Sequence, residues 1–364
     1  MAASSVPREL PTNYKLTEIY HTKWYCPDNY DCLTYIGNGA YSQVCSATCE
    51  GIEGKVAIKK LTRAFFAVDE SKRTYRELRL LKHMKHKNVV DLVDVFTPDL
   101  TKIDFTDLYF VSTYYPKDLK HVILNEGLDT ARVRSMVYQI LCGVQYIHSA
   151  GVIHRDLKPR NIGVTENDCI KILDFGLARS ISNEMTGYVQ TRWYRAPEVI
   201  LNWMKYNQTA DVWSVACIMG EMLTGKPLIA GKSFTDQILK IFNLVGSPDS
   251  NTLKKFTCSD IVECLKSFDK CERQDFNKYF KNVDPQAIDL LDKMLQLDVD
   301  VRLNVENALK HEFLKVNFDP KDQIRAEMFE NVFEDMDLNL SEWKSLVLQE
   351  VQNFKSSRKC DSRK

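Results

Sequence analysis

The residues best equipped for chemistry in this chain lie in one stretch, His154-Arg155-Asp156-Leu157-Lys158-Pro159-Arg160-Asn161. Pro159 and the polar run around it mark a loop between a helix and a strand. From such a loop Asp156, Lys158 and Asn161 can converge on one point, supplying a base, a cation and a neutral metal ligand. Downstream, Ile172-Leu173-Asp174-Phe175-Gly176 ends a strand with a second carboxylate directed at the same region, followed by a flexible glycine. Ala196-Pro197-Glu198 closes the segment after it. Upstream, Val56-Ala57-Ile58-Lys59 sets a lysine among apolar neighbours on a run that should be half buried, where it needs a counter-charge. Glu77, inside Tyr75-Arg76-Glu77-Leu78, is the candidate. Earlier still, Gly37-Asn38-Gly39-Ala40-Tyr41-Ser42-Gln43-Val44 sits between two strand-like segments. Glycines let a backbone turn tightly and approach phosphates, although alone this pattern is only a hairpin turn. A dinucleotide-binding fold would need a helix next, and the sequence after Val44 stays strand-like.

The elements that must position these groups follow from periodicity. Alternating apolar and small residues over 31–61 read as strands joined by the Gly51–Gly54 turn. Residues 70–84 carry apolar positions at helical spacing and form one amphipathic helix. Asn88-Val89-Val90 through Phe96 and Asp107 through Tyr115 read as two further strands. After about Lys120 the character changes, with helical periodicity over 131–149, 209–225 and 285–297. The shift near 112–118 predicts a small β-rich lobe followed by a larger α-rich lobe. Beyond about Val316 the chain turns acidic, then amphipathic in Ser341-Glu342-Trp343-Lys344-Ser345, then basic.

Composition bounds the function classes. A chain of 364 residues suits one large domain or about two ordinary ones. Hydrophobic residues at 44% and charged residues at 27% exclude a disordered chain. With Lys+Arg 49 against Asp+Glu 49 the formal charge is +0, so overall electrostatics offer no argument for nucleic acid or anionic membrane as partner. The first ten residues hold no apolar core of a signal peptide, and no apolar run approaches the length that spans a bilayer. The eleven cysteines are expected to be reduced, in the cytosol or nucleus. Cys258, Cys264 and Cys271 are spaced too loosely for a zinc site.

Glycine-rich turn, strand Lys59, helix Glu77, His154-Arg155-Asp156 with Asn161, Asp174-Phe175-Gly176 and Ala196-Pro197-Glu198 occur in the order found in protein kinases. The chain resembles a eukaryotic protein kinase over its whole length. More closely it resembles a mitogen-activated protein kinase of the stress-activated branch, on Met185-Thr186-Gly187-Tyr188-Val189-Gln190-Thr191-Arg192-Trp193-Tyr194-Arg195. Relatives outside that branch have Glu or Pro between the two acceptors.

The resemblance implies an α+β, bilobal protein kinase fold with a small β-rich N-lobe and a larger α-helical C-lobe. It implies an N-terminal extension at 1–30, an N-lobe with hinge at 31–117, a C-lobe at 118–316 with activation segment 174–198, and a C-terminal extension at 317–364. ATP and Mg²⁺ are the implied cofactors. The turn from Gly37 through Ser42, with Ala40 and Tyr41 at its tip, would cover the phosphates. The adenine would lie under Val44 and Ala57, with hinge backbone near Thr113 and Tyr115 and Ser112 guarding the pocket behind. Lys59 would hold phosphates and pair with Glu77. Asn161 and Asp174 would bind Mg²⁺, Asp156 would accept the substrate proton, and Lys158 would stabilise the transferring group.

The same resemblance makes Thr186 and Tyr188 phosphorylation sites. Arg73, Arg76, Arg155 and Arg179 would read the first phosphate; Arg192 and Arg195 would read the second. Expected partners are an upstream dual-specificity kinase, proteins with Ser/Thr-Pro sites, phosphatases and docking-motif proteins, met by a monomer. Asp319 and Asp322 would form an acidic docking patch, with Lys321 inside it. There are departures. Ser42 stands where a third glycine usually lies, Ala216 replaces a usual glycine, and Tyr114-Tyr115-Pro116 makes an unusual hinge. Arg160 replaces a small residue, adding bulk and charge beside Asn161, where it bears on substrate approach. A catalytically silent scaffold is disfavoured because Lys59, Glu77, Asp156, Asn161 and Asp174 are all present. A metabolic small-molecule kinase fails on the long activation segment.

Overall fold

Alternation along Lys55–Leu61 sets the architecture of the β-rich part. Val56 and Ile58 are fully buried on one face, while Ala57 and Lys59 point to the other and are half-buried. A computed structural model describes residues 10–39, 42–99, 101, 105–180, 192–201, 207–256 and 258–361. The chain divides into two compact units: Met1–His83 with Val90–Tyr115 and Val332–Lys364, and Met84–Val89 with Pro116–Asn331.

The first unit is built on strands β1 (Tyr14–Ile19), β2 (Thr22–Pro27), β3 (Tyr30–Gly39), β4 (Ser42–Cys49), β5 (Lys55–Leu61), β6 (Leu92–Phe96) and β7 (Leu108–Thr113). The last five form an antiparallel sheet in the order β3-β4-β5-β7-β6. Its core gathers Trp24, Tyr30, Cys45, Ala47, Val56, Ile58, Phe96, Tyr109 and Val111. Trp24 and Cys26 come from the β1–β2 hairpin, inside the stretch 1–30 that the family resemblance set apart as an extension. The hairpin turns through Tyr20 (φ 47°) and His21 (φ 58°), without the Gly or Asn-Gly signal that usually announces such a turn.

Helix α1 (Val68–His83) carries Glu77 and packs against the chain's end. The C-terminal helix Leu340–Asp361 buries Trp343, Val347 and Val351, a four-residue spacing along one face. Tyr75 of α1 meets Phe333 edge-on at 5.1 Å and Trp343 at 5.6 Å. Glu334 binds the Arg76 guanidinium through both oxygens, and Lys82 pairs with Glu350. Lys72 donates to the Glu334 carbonyl at 2.5 Å.

The second unit is mainly helical. Its leading helices are α2 (Leu119–Asn125), α3 (Thr130–Ser149), α4 (Pro197–Ile200) and α5 (Thr209–Thr224). Asp118 and Asp129 cap α2 and α3, accepting from the His121 and Arg132 amides at 2.7 Å each. Short strands β8 (Lys117–Asp118), β9 (Val152–Ile153), β10 (Ile162–Val164), β11 (Ile170–Ile172) and β12 (Arg179–Ser180) form two small antiparallel sheets, β11-β10-β8 and β12-β9. Helix α5 is buried from Thr209 to Met222 and stops at Gly225, whose φ of 72° suits glycine. The sequence thus predicted both the β-rich first part and the helical second part.

One ion pair fastens α4 to a later stretch of this unit. Arg302 grips Glu198 through both guanidinium ends, at 2.5 and 2.9 Å, with both side chains fully buried. Its remaining N–H groups reach the carbonyls of Gln296 and Thr209. Arg302→Met strands the buried Glu198 carboxylate, and urea titration should show a stability loss of about 3–5 kcal/mol. A loss below about 1 kcal/mol would show that another group neutralises it.

Candidate active site

The loop His154–Asn161 is shaped from behind by Asp211, a carboxylate with no solvent exposure in the first turn of α5. Asp211 accepts from the His154 and Arg155 amides at 2.8 Å each and contacts His148 Nε2 at 2.9 Å. Burial works against its ionisation, but the bond to His148 and the surrounding donors hold its carboxyl below the usual 3.8. The two amide bonds matter because Arg155 has φ 69°, a left-handed conformation that a non-glycine residue keeps only when neighbours enforce it.

His154 continues the chain of constraint. The Asp156 amide donates to His154 Nδ1 at 3.3 Å, so Nδ1 is the unprotonated nitrogen. Nε2 then carries the hydrogen and donates to the Leu173 carbonyl at 3.0 Å. The Leu173 amide in turn donates to the Asn161 carbonyl at 2.8 Å. Two loops distant in sequence are thereby locked together. Phe175 is buried and packs edge-on against the His154 ring at 5.2 Å. Asp174 sits at φ 60°, and the Gly176 amide reaches its Oδ1 at 3.3 Å.

Asp156 is 6% exposed. Its Oδ2 accepts from Lys158 Nζ at 2.6 Å and from Asn161 Nδ2 at 3.0 Å. Asn161 Nδ2 also reaches the Asp156 carbonyl at 2.8 Å. With its nitrogen so engaged, the amide oxygen of Asn161 remains as the acceptor suited to a hard cation. Together with the Asp174 carboxylate this oxygen set fits Mg²⁺, which usually takes one or two protein ligands and completes its shell with phosphate and water. Expected convergence of Asp156, Lys158 and Asn161 is thus observed.

In the sheet unit Lys59 Nζ lies 2.6 Å from Glu77 Oε1, the pairing inferred from the half-buried lysine. Register puts Val44 opposite Lys59 and Ser112 opposite Ala57. Directly paired residues share a face, so Val44, Ala57, Lys59 and Ser112 line one side of the sheet, away from the apolar core. Thr113 ends β7, and burial pushes the Tyr115 hydroxyl up to about 12. Gly37, Asn38 and Gly39 pair with Val44, Gln43 and Ser42. A Cβ on Gly39 would come within 2.9 Å of Ser42 Oγ, so the serine closes over the glycine. Ala40 and Tyr41 lie outside the described residues, as do Thr186 and Tyr188.

The arginines divide between the units: Arg73 and Arg76 on α1, Arg155, Arg179, Arg192 and Arg195 in the helical unit. Two of the contacts they make were not foretold by the sequence. The guanidinium of Arg76 is held by Glu334, and Arg195 Nη2 stands 3.9 Å from Asp156 Oδ1. The proposed docking aspartates are likewise in use. Asp322 pairs with Lys87 and accepts from the Tyr138 hydroxyl at 3.2 Å, while Asp319 accepts from the Lys321 amide at 2.9 Å. Asp211, Arg302 and Glu334 were missed. A signal existed for Asp211, a carboxylate inside the apolar run Ala210–Met219.

The sequence is similar to those of known proteins. The pattern common to the protein kinase domain matches residues 30–314. Mitogen-activated protein kinase 12 of Rattus norvegicus is 47% identical over 346 residues, covering 95% of this chain and 94% of the relative. Mitogen-activated protein kinase p38b of Drosophila melanogaster is 47% identical over 351 residues, 96% of each chain. Mitogen-activated protein kinase 14 of Xenopus laevis is 47% identical over 337 residues, 93% of each. The chain belongs to the protein kinase family, in its mitogen-activated branch. It is a protein serine/threonine kinase of the p38 type.

The anchoring role of Asp211 in this kinase has a pH signature. A carboxyl whose folded value lies below its unfolded value stabilises the fold above about pH 4, and that contribution fades as pH falls toward the folded value. The stability difference between wild type and Asp211→Asn should therefore be large near neutral pH and shrink below about pH 4. Denaturant titrations at several pH values measure it. A difference that does not change with pH would place the anchoring in shape alone.

Proposed function

We propose that this kinase transfers the γ-phosphoryl group of ATP to serine or threonine residues followed by proline, and is switched on by phosphorylation of Thr186 and Tyr188. The observation that carries the catalytic part is the Asp156 carboxylate held by Lys158 and Asn161 in a loop fixed by Asp211. Asp156 orients the substrate hydroxyl and accepts its proton as the oxygen attacks phosphorus. Lys158 offsets the charge of the transferring group. Lys59, oriented by Glu77, holds the α- and β-phosphates, and the sheet face with Val44, Ala57 and Ser112 receives the adenine. Mg²⁺, when held by Asn161 and Asp174, neutralises phosphate charge.

Catalysis of this kind is positioning plus electrostatics. Asp156→Ala and Lys59→Met, each treated with an upstream kinase, should lose peptide phosphorylation by roughly 10³-fold or more. Retention of more than about a tenth of wild-type turnover by either would overturn the assignment.

The switch rests on the Thr186-Gly187-Tyr188 sequence and the supply of arginines. A phosphate of about −2 charge is a strong, bidentate acceptor for guanidinium groups. Thr186→Ala and Tyr188→Phe should each stay near basal activity after treatment with a dual-specificity upstream kinase. Full activation of Thr186→Ala, followed by peptide phosphorylation rate, would refute this route. Proteins bearing Ser/Thr-Pro sites, docking-motif proteins and phosphatases are the remaining partners of the proposal, met in cytoplasm and nucleus.

A further inference from the structure

Arg160 is the one residue of the catalytic loop left without an evident task. It is exposed, on the turn Pro159–Asn161. No carboxylate among the described residues lies within ion-pair distance of it. Its neighbour Asn161 touches Asp156 directly, and the turn packs against α2. Arg160 therefore stands on the turn next to the residue that holds the Asp156 carboxylate, close to where a polypeptide must bring its hydroxyl.

Among the described residues, the nearby anions are committed elsewhere. Glu221 of α5 has no exposure. One of its oxygens accepts from Lys120 of α2 and the other from the Tyr194 hydroxyl, each at 2.6 Å. Asp118 caps α2 through the His121 amide. Asp156 itself is matched by Lys158, with Arg195 close by. The field of Arg160 reaches Tyr194, where it opposes the effect of burial and of Glu221 on the phenol. Among the described residues, the charge of Arg160 is thus left without a paired anion.

We infer that Arg160 selects substrates carrying an anionic residue, a glutamate, aspartate or phosphorylated side chain, within about three positions of the acceptor. The distance follows from extended-chain spacing of about 3.3 Å per residue and the length of an arginine side chain. This rests on the Ser/Thr-Pro reading above and refines it. An exposed guanidinium–carboxylate contact is modest and salt-dependent, while a phosphate offers a stronger, bidentate partner.

The test uses the full chain activated by an upstream kinase and Ser-Pro peptides that differ only by Glu, Gln or phosphoserine at one position near the acceptor. Wild type should favour Glu over Gln by about threefold to tenfold in kcat/KM at one or more positions, and phosphoserine by more. The preference should shrink as salt rises and appear mainly in KM. In Arg160→Ser the Glu:Gln ratio should fall to about one. In Arg160→Glu it should invert, with Lys peptides now favoured. A Glu:Gln ratio that is the same whatever residue stands at 160 overturns the proposal alone. A phosphoserine preference without a glutamate preference confines the anion to phosphate, provided that Arg160→Ser abolishes it; otherwise the proposal fails. If no Ser-Pro peptide is phosphorylated at all, the reading on which the proposal rests falls with it.

Discussion

The whole catalytic loop depends on one buried carboxylate. Asp211 has no access to water, yet it accepts two backbone amides and contacts His148. Without those bonds Arg155 has no reason to hold φ 69°, and each buried amide would lose its acceptor. From that fixed point the constraints run outward by single contacts. His154 takes one tautomer because Asp156 donates to its Nδ1; the other nitrogen then fastens the carbonyl just before Asp174. Asp156 and Asp174 are thus placed by the same imidazole. Rigidity of this kind suits chemistry in which charges must be in position before the reaction begins.

A different logic governs the sheet unit. Lys59 lies on a half-buried strand, and its charge is tolerable there because α1 delivers Glu77. Helix α1 has only a few turns, and its placement comes from packing on two sides. The sheet offers one side, through Lys59 on Glu77. The other is the chain's own end, through Phe333 and Trp343 on Tyr75 and through Glu334 and Glu350 on the basic residues of the helix. The last thirty residues therefore belong to the same unit as the first eighty, although sequence separates them by most of the molecule.

What could be read from sequence was whatever depends on local pattern. Alternation gave β5 with Lys59 on its less buried face, helical spacing gave α1, α3 and α5, and the polar loop gave Asp156, Lys158 and Asn161 as a group. The Lys59–Glu77 contact was legible too, because a lysine among Val, Ala and Ile demands a partner. Long-range pairings were not. Glu334 lies 258 residues from Arg76, and Glu198 lies 104 from Arg302, so no periodicity links them. The β1–β2 hairpin escaped because its turn uses Tyr20 and His21 in place of glycine.

The charges also show why a count of acidic residues is a poor guide to where partners bind. Formal charge over the whole chain is +0, with 49 residues of each sign. Many of the carboxylates that look available in sequence are spent inside the protein. Asp168 is held by both ends of the Arg132 guanidinium, Glu126 by Lys117 and Arg132, Asp322 by Lys87, and Glu221 by Lys120. An approaching peptide feels such pairs as dipoles, whose field falls off faster than that of a single charge. An exposed guanidinium such as that of Arg160, unpaired among the described residues, acts over a longer range and at the moment of encounter. Selectivity at this site is therefore set less by how many charges the loop and its neighbours contain than by which of them the fold leaves unanswered.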